Sequence, residues 1–381
     1  MYSSLKSVFD FDNFPNNTEI ADKTYEVQIT EAQNYLHSIP KKINVPSFSV
    51  AVGHKGKLIW SEAIGFEDME NKIAANSSSV YRIGSTSKAV TATLVARLVD
   101  KGQINLDTVL TDDIENYPKK EWGFTPRQLL SHSAGIPDYS GLKMAGVYKT
   151  LCNCKNYKSV SDGLDIFNKV KLLHKPGAQF KYTSFDFVLL SAYLEKITNT
   201  DFLSLLNSEI INPLQLENTF GDNSEYQKGS IASFYETKGY KYKVWPAFGV
   251  FNKKIDLSYK WVGGGILSTP TDLEKMGNAI FTDSIFISIE TISIFFEQQK
   301  LDDGEVNPQL YALGWRSYDA YQDDAFEQKV WMVHHAGVSK GSMNFLILFP
   351  EYDLVINASI NTKTDVFWTF GREVTTLASF F

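Results

Sequence analysis

The sequence predicts an α+β fold: one antiparallel sheet built from both termini, flanked by helices, with a mainly helical subdomain inserted between the two halves. Two observations carry this. Strand-like runs cluster near both ends of the 381-residue chain, and helical periodicity dominates its middle. A third observation sets the domain count. No repeat or low-complexity linker interrupts the chain, so residues 1–381 are expected to form a single domain. Its sheet part comes from 25–84 and 320–381, and its mainly helical part from 85–319.

Taken in order, Glu26 to Ser38 reads as an amphipathic helix after a polar lead-in. Pro40 and Pro46 punctuate the approach to an alternating strand, Phe48 to Gly53, and Lys55-Gly56-Lys57 suggests a hairpin tip with Leu58 to Ile64 returning. The positions Ala89, Val90, Ala92, Leu94, Val95, Leu98 and Val99 then describe a helix apolar on nearly all sides, with Gly102 as its stop. Such a helix is buried. Further helices are expected at Pro126 to Ser131, Gly163 to Val170, Phe185 to Thr198 and Asp201 to Ile211. Ser233 to Trp261 is rich in aromatic residues and reads as irregular or short-stranded; it could line a cleft or simply pack a core. Thr269 caps a helix that has Pro270 at its first position. Met343 to Phe349 and Leu354 to Ile360 are two strands joined by Pro350 to Asp353, and Asp365 to Phe380 closes the chain as a helix.

The net charge of −7 removes the basic footprint that a nucleic-acid partner needs. Cys152 and Cys154 are separated by one residue, too close for an unstrained disulfide, and no His or Cys stands near them at metal-ligand spacing. No run approaches the ~20 apolar residues of a membrane span. Met1 to Lys23 holds no apolar run of signal-peptide length. A chain that is complete is therefore expected in the cytoplasm, and one whose leader has been removed in the periplasm or outside the cell.

Ser85-Thr86-Ser87-Lys88 is an S-x-x-K tetrad at the start of the buried helix. The i, i+3 spacing puts hydroxyl and amine on one face. A helix N-terminus adds free N–H groups and positive potential suited to a developing anion. An amine in apolar surroundings can reach its neutral form and take a hydroxyl proton. On its own the tetrad leaves a second reading open, with Ser85 as a cap and Lys88 on the surface. The same pattern recurs at Ser3/Lys6 and Ser140/Lys143, but only the Ser85 copy opens an all-round apolar helix. A second motif is Tyr182-Thr183-Ser184, whose phenol could pass a proton to a leaving group. A third is His335-Ala336-Gly337, at a strand edge whose small residues let a substrate backbone approach.

In this order the three motifs resemble the pattern of the serine β-lactamase and penicillin-binding-protein superfamily, closest to its class C-like branch. Flanking segments resemble the same family: Tyr81 to Lys88, Thr125 to Tyr139, and Gly264 to Leu273. The resemblance runs from about Val45 to Asn361. It implies a β-lactamase/transpeptidase-like fold with Ser85 as the acylated nucleophile and Lys88 and Tyr182 sharing general-base and general-acid duty. His335 would hold Tyr182's proton network and the substrate's polar end. The backbone N–H groups of Ser85 and Val338 would form the oxyanion hole, with Gly337 and Ser184 beside the substrate. No metal or organic cofactor is implied, and the expected partner is a small-molecule or peptide acyl substrate.

The chain also departs from the family's pattern. Ser184 stands where Asn is commoner, His335 where Lys is common, and Ala336 where Ser or Thr is usual. A neutral imidazole recognises a penicillin carboxylate less well than an ammonium does. These changes point to an esterase, peptidase or weak β-lactamase that works through an acyl-serine. Acyl transfer to an acceptor other than water, and a non-catalytic scaffold with a retained fold, are the alternatives. A triad of Ser85 with His132 and Asp138 is disfavoured, because the chain has no Gly-x-Ser-x-Gly elbow.

Overall fold

The computed structural model describes residues 11–110, 114, 117–142, 157, 159–222, 230–238, 241–244 and 257–381. Its backbone is an eight-stranded antiparallel sheet whose strands come from the two ends of the chain. The N-terminal strands are β1 (Asn16–Ile20), β2 (Ser47–His54) and β3 (Lys57–Asp68); the C-terminal ones are β4 (Arg316–Tyr321), β5 (Val330–Ser339), β6 (Ser342–Phe349) and β7 (Leu354–Ile360). The order across the sheet is β1-β3-β2-β7-β6-β5-β4, and Ile73–Ala74 pairs with β3 as the eighth strand. The two halves meet where β2 pairs with β7, Val52 opposite Ile356. This is the expected α+β architecture.

Local chemistry explains the strand ends. Lys55 and Gly56 both take positive φ, 51° and 78°, which matches a two-residue turn to the twist of β2 and β3. Asp353 turns β6 into β7 at φ 50°. β1 falls in the segment read as a polar lead-in. It is an edge strand with four of its five residues exposed, so it carries no apolar alternation to reveal it.

The sheet is covered on both faces. Alternate residues of β6 show this directly: Leu346 and Leu348 join one core, Phe345 and Ile347 the other. On the terminal side, α1 (Glu26–Leu36) and α6 (Phe367–Ala378) contribute Ile29, Leu36, Phe370, Val374 and Leu377. On the other side lie α2 (Ser87–Asp100), α3 (Ser184–Thr198), α4 (Pro270–Thr282) and α5 (Ile289–Phe296), with Leu94, Leu189, Leu273 and Phe295 in their core. At about 1.5–3 kcal/mol for each large side chain fully removed from water, this second core is what fixes α2 in place.

Two expected helices take other forms. Gly163 to Val170 holds only a 3-10 turn, Ser161–Ile166, because Gly163 packs against the Tyr259 backbone and the chain then breaks off at Phe167. The helix expected from Asp201 is α-helical over Phe202–Leu206 and π-helical over Asn207–Ile211. In the aromatic segment, Tyr235–Lys238 and Lys241–Val244 form a short hairpin that pairs with Thr362–Lys363. Cys152, Cys154, Trp245, Phe248 and Phe251 lie outside the described residues.

Candidate active site

Ser85 sits in a 3-10 turn, Gly84–Thr86, that runs directly into α2. Side chains on the first turns of α2 tie it to the short helix Trp261–Gly264 and the strand after it. The Ser87 hydroxyl accepts from the Ile266 N–H at 3.2 Å, and Thr91 Oγ1 donates to the Val262 carbonyl at 2.7 Å. Between them, Lys88 is completely buried. Its Nζ donates to Ser85 Oγ at 3.2 Å, to Ser184 Oγ at 3.0 Å and to the Gly263 carbonyl at 2.7 Å. Three acceptors thus surround one amine nitrogen.

Tyr182 and Ser184 are placed by the start of α3. Thr183 is its N-cap: Oγ1 accepts from the Phe185 N–H at 3.2 Å and donates to the Pro137 carbonyl at 3.3 Å. That cap fixes Ser184 as the first helical residue, toward Lys88. The Tyr182 ring faces the amine, with Lys88 Nζ 4.8 Å from its centroid. Arg316 reaches the same ring, 5.8 Å from its centroid, and also that of Tyr311, at 5.4 Å.

The end of β5 closes the third side. Pairing with β4 stops at Arg316 opposite His334, so the following residues meet the Ser85 turn instead of a strand. The approach is close enough to demand glycine on both sides. A Cβ on Gly337 would lie 1.8 Å from the Ile83 carbonyl oxygen and 2.8 Å from Ser85 N, and one on Gly84, at φ +55°, would lie 2.6 Å from Val338 N. The backbones of Ser85 and Val338 are therefore neighbours.

His335 lies one layer further in. It is fully buried, with Nε2 2.9 Å from Tyr311 Oη and Nδ1 2.9 Å from the Ala336 carbonyl oxygen. Nδ1 must donate to that carbonyl, so Nε2 accepts from the phenol. Burial, then the charges of Arg316 and Lys88, hold the imidazole well below its ordinary range, and burial holds the Tyr311 phenol well above its own. The ring meets Tyr182 only as a tilted pair, centroids 6.5 Å apart and planes at 37°, and both its nitrogens are occupied. His335, expected to hold Tyr182's proton network and the substrate's polar end, thus bonds to Tyr311, whose ring stands edge-on to that of Tyr182 with centroids 6.0 Å apart.

The model of the β-lactamase family matches residues 32–377. The chain belongs to the β-lactamase family. Serine beta-lactamase-like protein LACTB, mitochondrial, of Homo sapiens is 27% identical over 322 residues, which cover 66% of this chain and 56% of that protein. The chain thus spans a little over half the length of this relative. Two solved structures share the β-lactamase fold. EstCE1, a hydrolase with promiscuous acyltransferase activity, superposes with a TM-score of 0.72 at 17% identity, over 94% of this chain and 99% of that one. D-amino acid amidase from Ochrobactrum anthropi SV3 gives 0.71 at 19% identity, over 92% and 98%. At these identities the likeness concerns the fold.

Within this β-lactamase-family site the structure brings Ser85, Lys88 and Ser184 into hydrogen-bond contact, sets Tyr182 against the amine, and lays Gly337 and Val338 against the serine turn. His132 and Asp138 do not form a triad with Ser85. Asp138 pairs with Lys181 at 3.1 Å, and His132 Nδ1 lies 2.7 Å from Asp186 Oδ2. This second pair is wholly buried, and the His132 ring packs on Tyr182 at 4.4 Å and Tyr311 at 4.8 Å. Burial drives Asp186 well above and His132 well below their ordinary ranges, which favours the neutral form of each. Sequence reasoning missed Tyr311, Arg316 and Asp186. Asp186, two residues past Ser184, lies beside the tyrosine motif; Tyr311 and Arg316 carry no local signal. Among the described residues no three His, Cys, Asp or Glu side chains cluster as a metal site, and no helix is long and apolar enough to cross a membrane.

Proposed function

We propose that the protein is a serine hydrolase that forms an acyl-serine intermediate at Ser85 on ester or amide substrates. The observation that carries this reading is the 3.2 Å contact between Lys88 Nζ and Ser85 Oγ at the start of a buried helix. Ser85 Oγ attacks the substrate carbonyl carbon as its proton passes to the neutral form of Lys88. The carbonyl oxygen gains the electron pair and is stabilised by the N–H groups of Ser85 and Val338. On collapse the leaving group departs with a proton relayed through Tyr182, and Ser85 holds the acyl group. Water, deprotonated by the same amine and phenol, then releases the acid and restores the serine.

His335, bonded to Tyr311 and to the Ala336 carbonyl, brings an imidazole and not an ammonium to the third motif, a weaker partner for a penicillin carboxylate. That favours an ester or amide donor over an antibiotic. Transfer of the acyl group to an alcohol or amine uses the same intermediate and is the second reading; EstCE1, with the same fold, has such an activity in addition to hydrolysis.

The test is covalent. Exposure to a fluorophosphonate should add mass to the peptide containing Ser85, and Ser85→Ala should lose both the label and p-nitrophenyl ester turnover while melting at nearly the same temperature. A label elsewhere, or turnover that survives in Ser85→Ala, would remove Ser85 as the nucleophile. Product analysis with added short alcohols separates hydrolysis from transfer.

A further inference from the structure

The face of the sheet turned away from Ser85 is incompletely covered. α6 packs over β6 and β7, and the adjoining surface of β4 and β5 lines a cavity of about 710 Å³. That volume lies within the ~300–1,000 Å³ range of small-molecule sites. Its floor is formed by Tyr318, Met332, His334, Phe345 and Ile347, and Trp368 and Arg372 of α6 form one wall. Trp368 is 73% exposed although it borders this apolar floor.

Two features mark a built site. His334 is 5% exposed, its Nδ1 is completely buried, and the imidazole makes no hydrogen bond among the described residues. Burial and the charge of Arg316 push it down to about 3, so near neutral pH the ring offers one donor and one acceptor. The second feature is charge. Arg372 is exposed on the wall and has no ion pair among the described residues. Of the two acids at the rim, Asp323 already accepts from Tyr321 Oη at 2.6 Å and from the Ala325 N–H at 2.9 Å, and Asp319 is exposed at the outer edge.

We propose that this cavity binds a small amphipathic carboxylic acid, its apolar body over Met332, Phe345, Ile347 and Trp368 and its carboxylate between Arg372 and His334. The site is separate from the catalytic hollow. Strand β5 divides the two, with His334 facing this cavity and His335 facing Tyr311.

Calorimetric titration with decanoate, decyltrimethylammonium and decanol, each below its aggregation limit, tests this. Decanoate should bind in the submillimolar range and the ammonium at least tenfold more weakly. Arg372→Gln, a change on the surface, should weaken decanoate at least fivefold, and His334→Phe should weaken it further. Ala320→Trp, at an exposed position on the rim, should fill the cavity and abolish binding with the melting temperature unchanged. Binding should persist when Ser85 has been blocked by a fluorophosphonate. No heat at millimolar decanoate, equal affinity for the ammonium, or indifference to Arg372→Gln and Ala320→Trp would each overturn the proposal. So would loss of binding on blocking Ser85, which would place the acid in the catalytic hollow. None of these results depends on whether Ser85 turns over an ester.

Discussion

Replacing Lys88 by methionine separates the chemistry of the amine from its place in the core. Methionine has nearly the same length and shape but no donor. Removing the three hydrogen bonds, at 3.2, 3.0 and 2.7 Å, leaves two hydroxyls that can rotate to other acceptors and one carbonyl, Gly263, that cannot. An orphaned buried carbonyl costs about 1–3 kcal/mol. Against that, a polar amine no longer has to be kept completely buried, which offsets a cost of the same order. The two nearly cancel, so the melting temperature should move by no more than a few degrees. The rate has no such offset. Without a base in reach of Ser85 Oγ, kcat/KM for p-nitrophenyl acetate should fall by about 10²–10⁴-fold. Fluorophosphonate labelling of Ser85 should slow in parallel, because it needs the same deprotonation. A Lys88→Met protein that keeps turnover within tenfold of the parent, with an unchanged melting temperature, would take the amine out of the mechanism.

Three further outcomes rest on buried contacts. Gly84→Ala puts a methyl 2.6 Å from Val338 N at φ +55°; the left-handed backbone alone costs about 1–2 kcal/mol. Displacing one oxyanion donor should slow acylation by about 10²–10³-fold, and an unchanged rate would separate Val338 from that role. Asp186→Asn sets an amide against His132 Nδ1 with its second N–H buried and unpaired, so thermal melting should show a loss of about 1–3 kcal/mol; unaltered melting would mean the pair is not held as described. Glu274 is buried on α4, and burial pushes its carboxyl from 4.5 up to about 8. The folded state then keeps a proton that the unfolded chain releases, so this group's stabilisation is full below pH 4.5 and is lost as pH rises toward 8. Glu274→Gln should remove that slope, and urea midpoints at pH 5 and pH 8 that differ equally in parent and variant would refute the shift.

Much of the fold was legible because its strongest elements carry a single demand. β6 and β7 are buried along their whole length, so their apolar runs state their place without help from context. α2 is buried on nearly every side, which its sequence repeats residue by residue. Elements that take identity from a neighbour were not legible. β1 is polar because it is an edge, and β4 has a register shift between Tyr318 and Tyr321 that breaks its alternation. The site divides along the same line. Ser85 and Lys88 are one helical turn apart, and local geometry alone brings them together. Ser184 reaches Lys88 only because Thr183 caps α3 at that point, and the Gly263 carbonyl arrives from a segment 175 residues away.

The adjacent histidines show where such reading ends and why. His334 and His335 are the same residue type in the same apolar strand, and nothing in their immediate sequence says which should face Ser85. Register decides. With Arg316 opposite His334 and Ile347 paired to it on the other side, alternation sends His334 to the face covered by α6 and His335 to the face holding Tyr182. A slip of one residue would exchange them, burying the partnerless imidazole against Tyr311 and turning the bonded one toward Trp368. What holds the register is remote from both rings: the Asn344 amide donates to Asn357 Oδ1 at 3.0 Å, and the Asn357 amide donates to the Phe345 carbonyl at 2.8 Å, pinning β6 to β7. The close contacts of Gly337 with Ile83 and Ser85 then pin β5. The chemistry of the third motif therefore depends on two buried asparagines and a glycine as much as on the histidine itself.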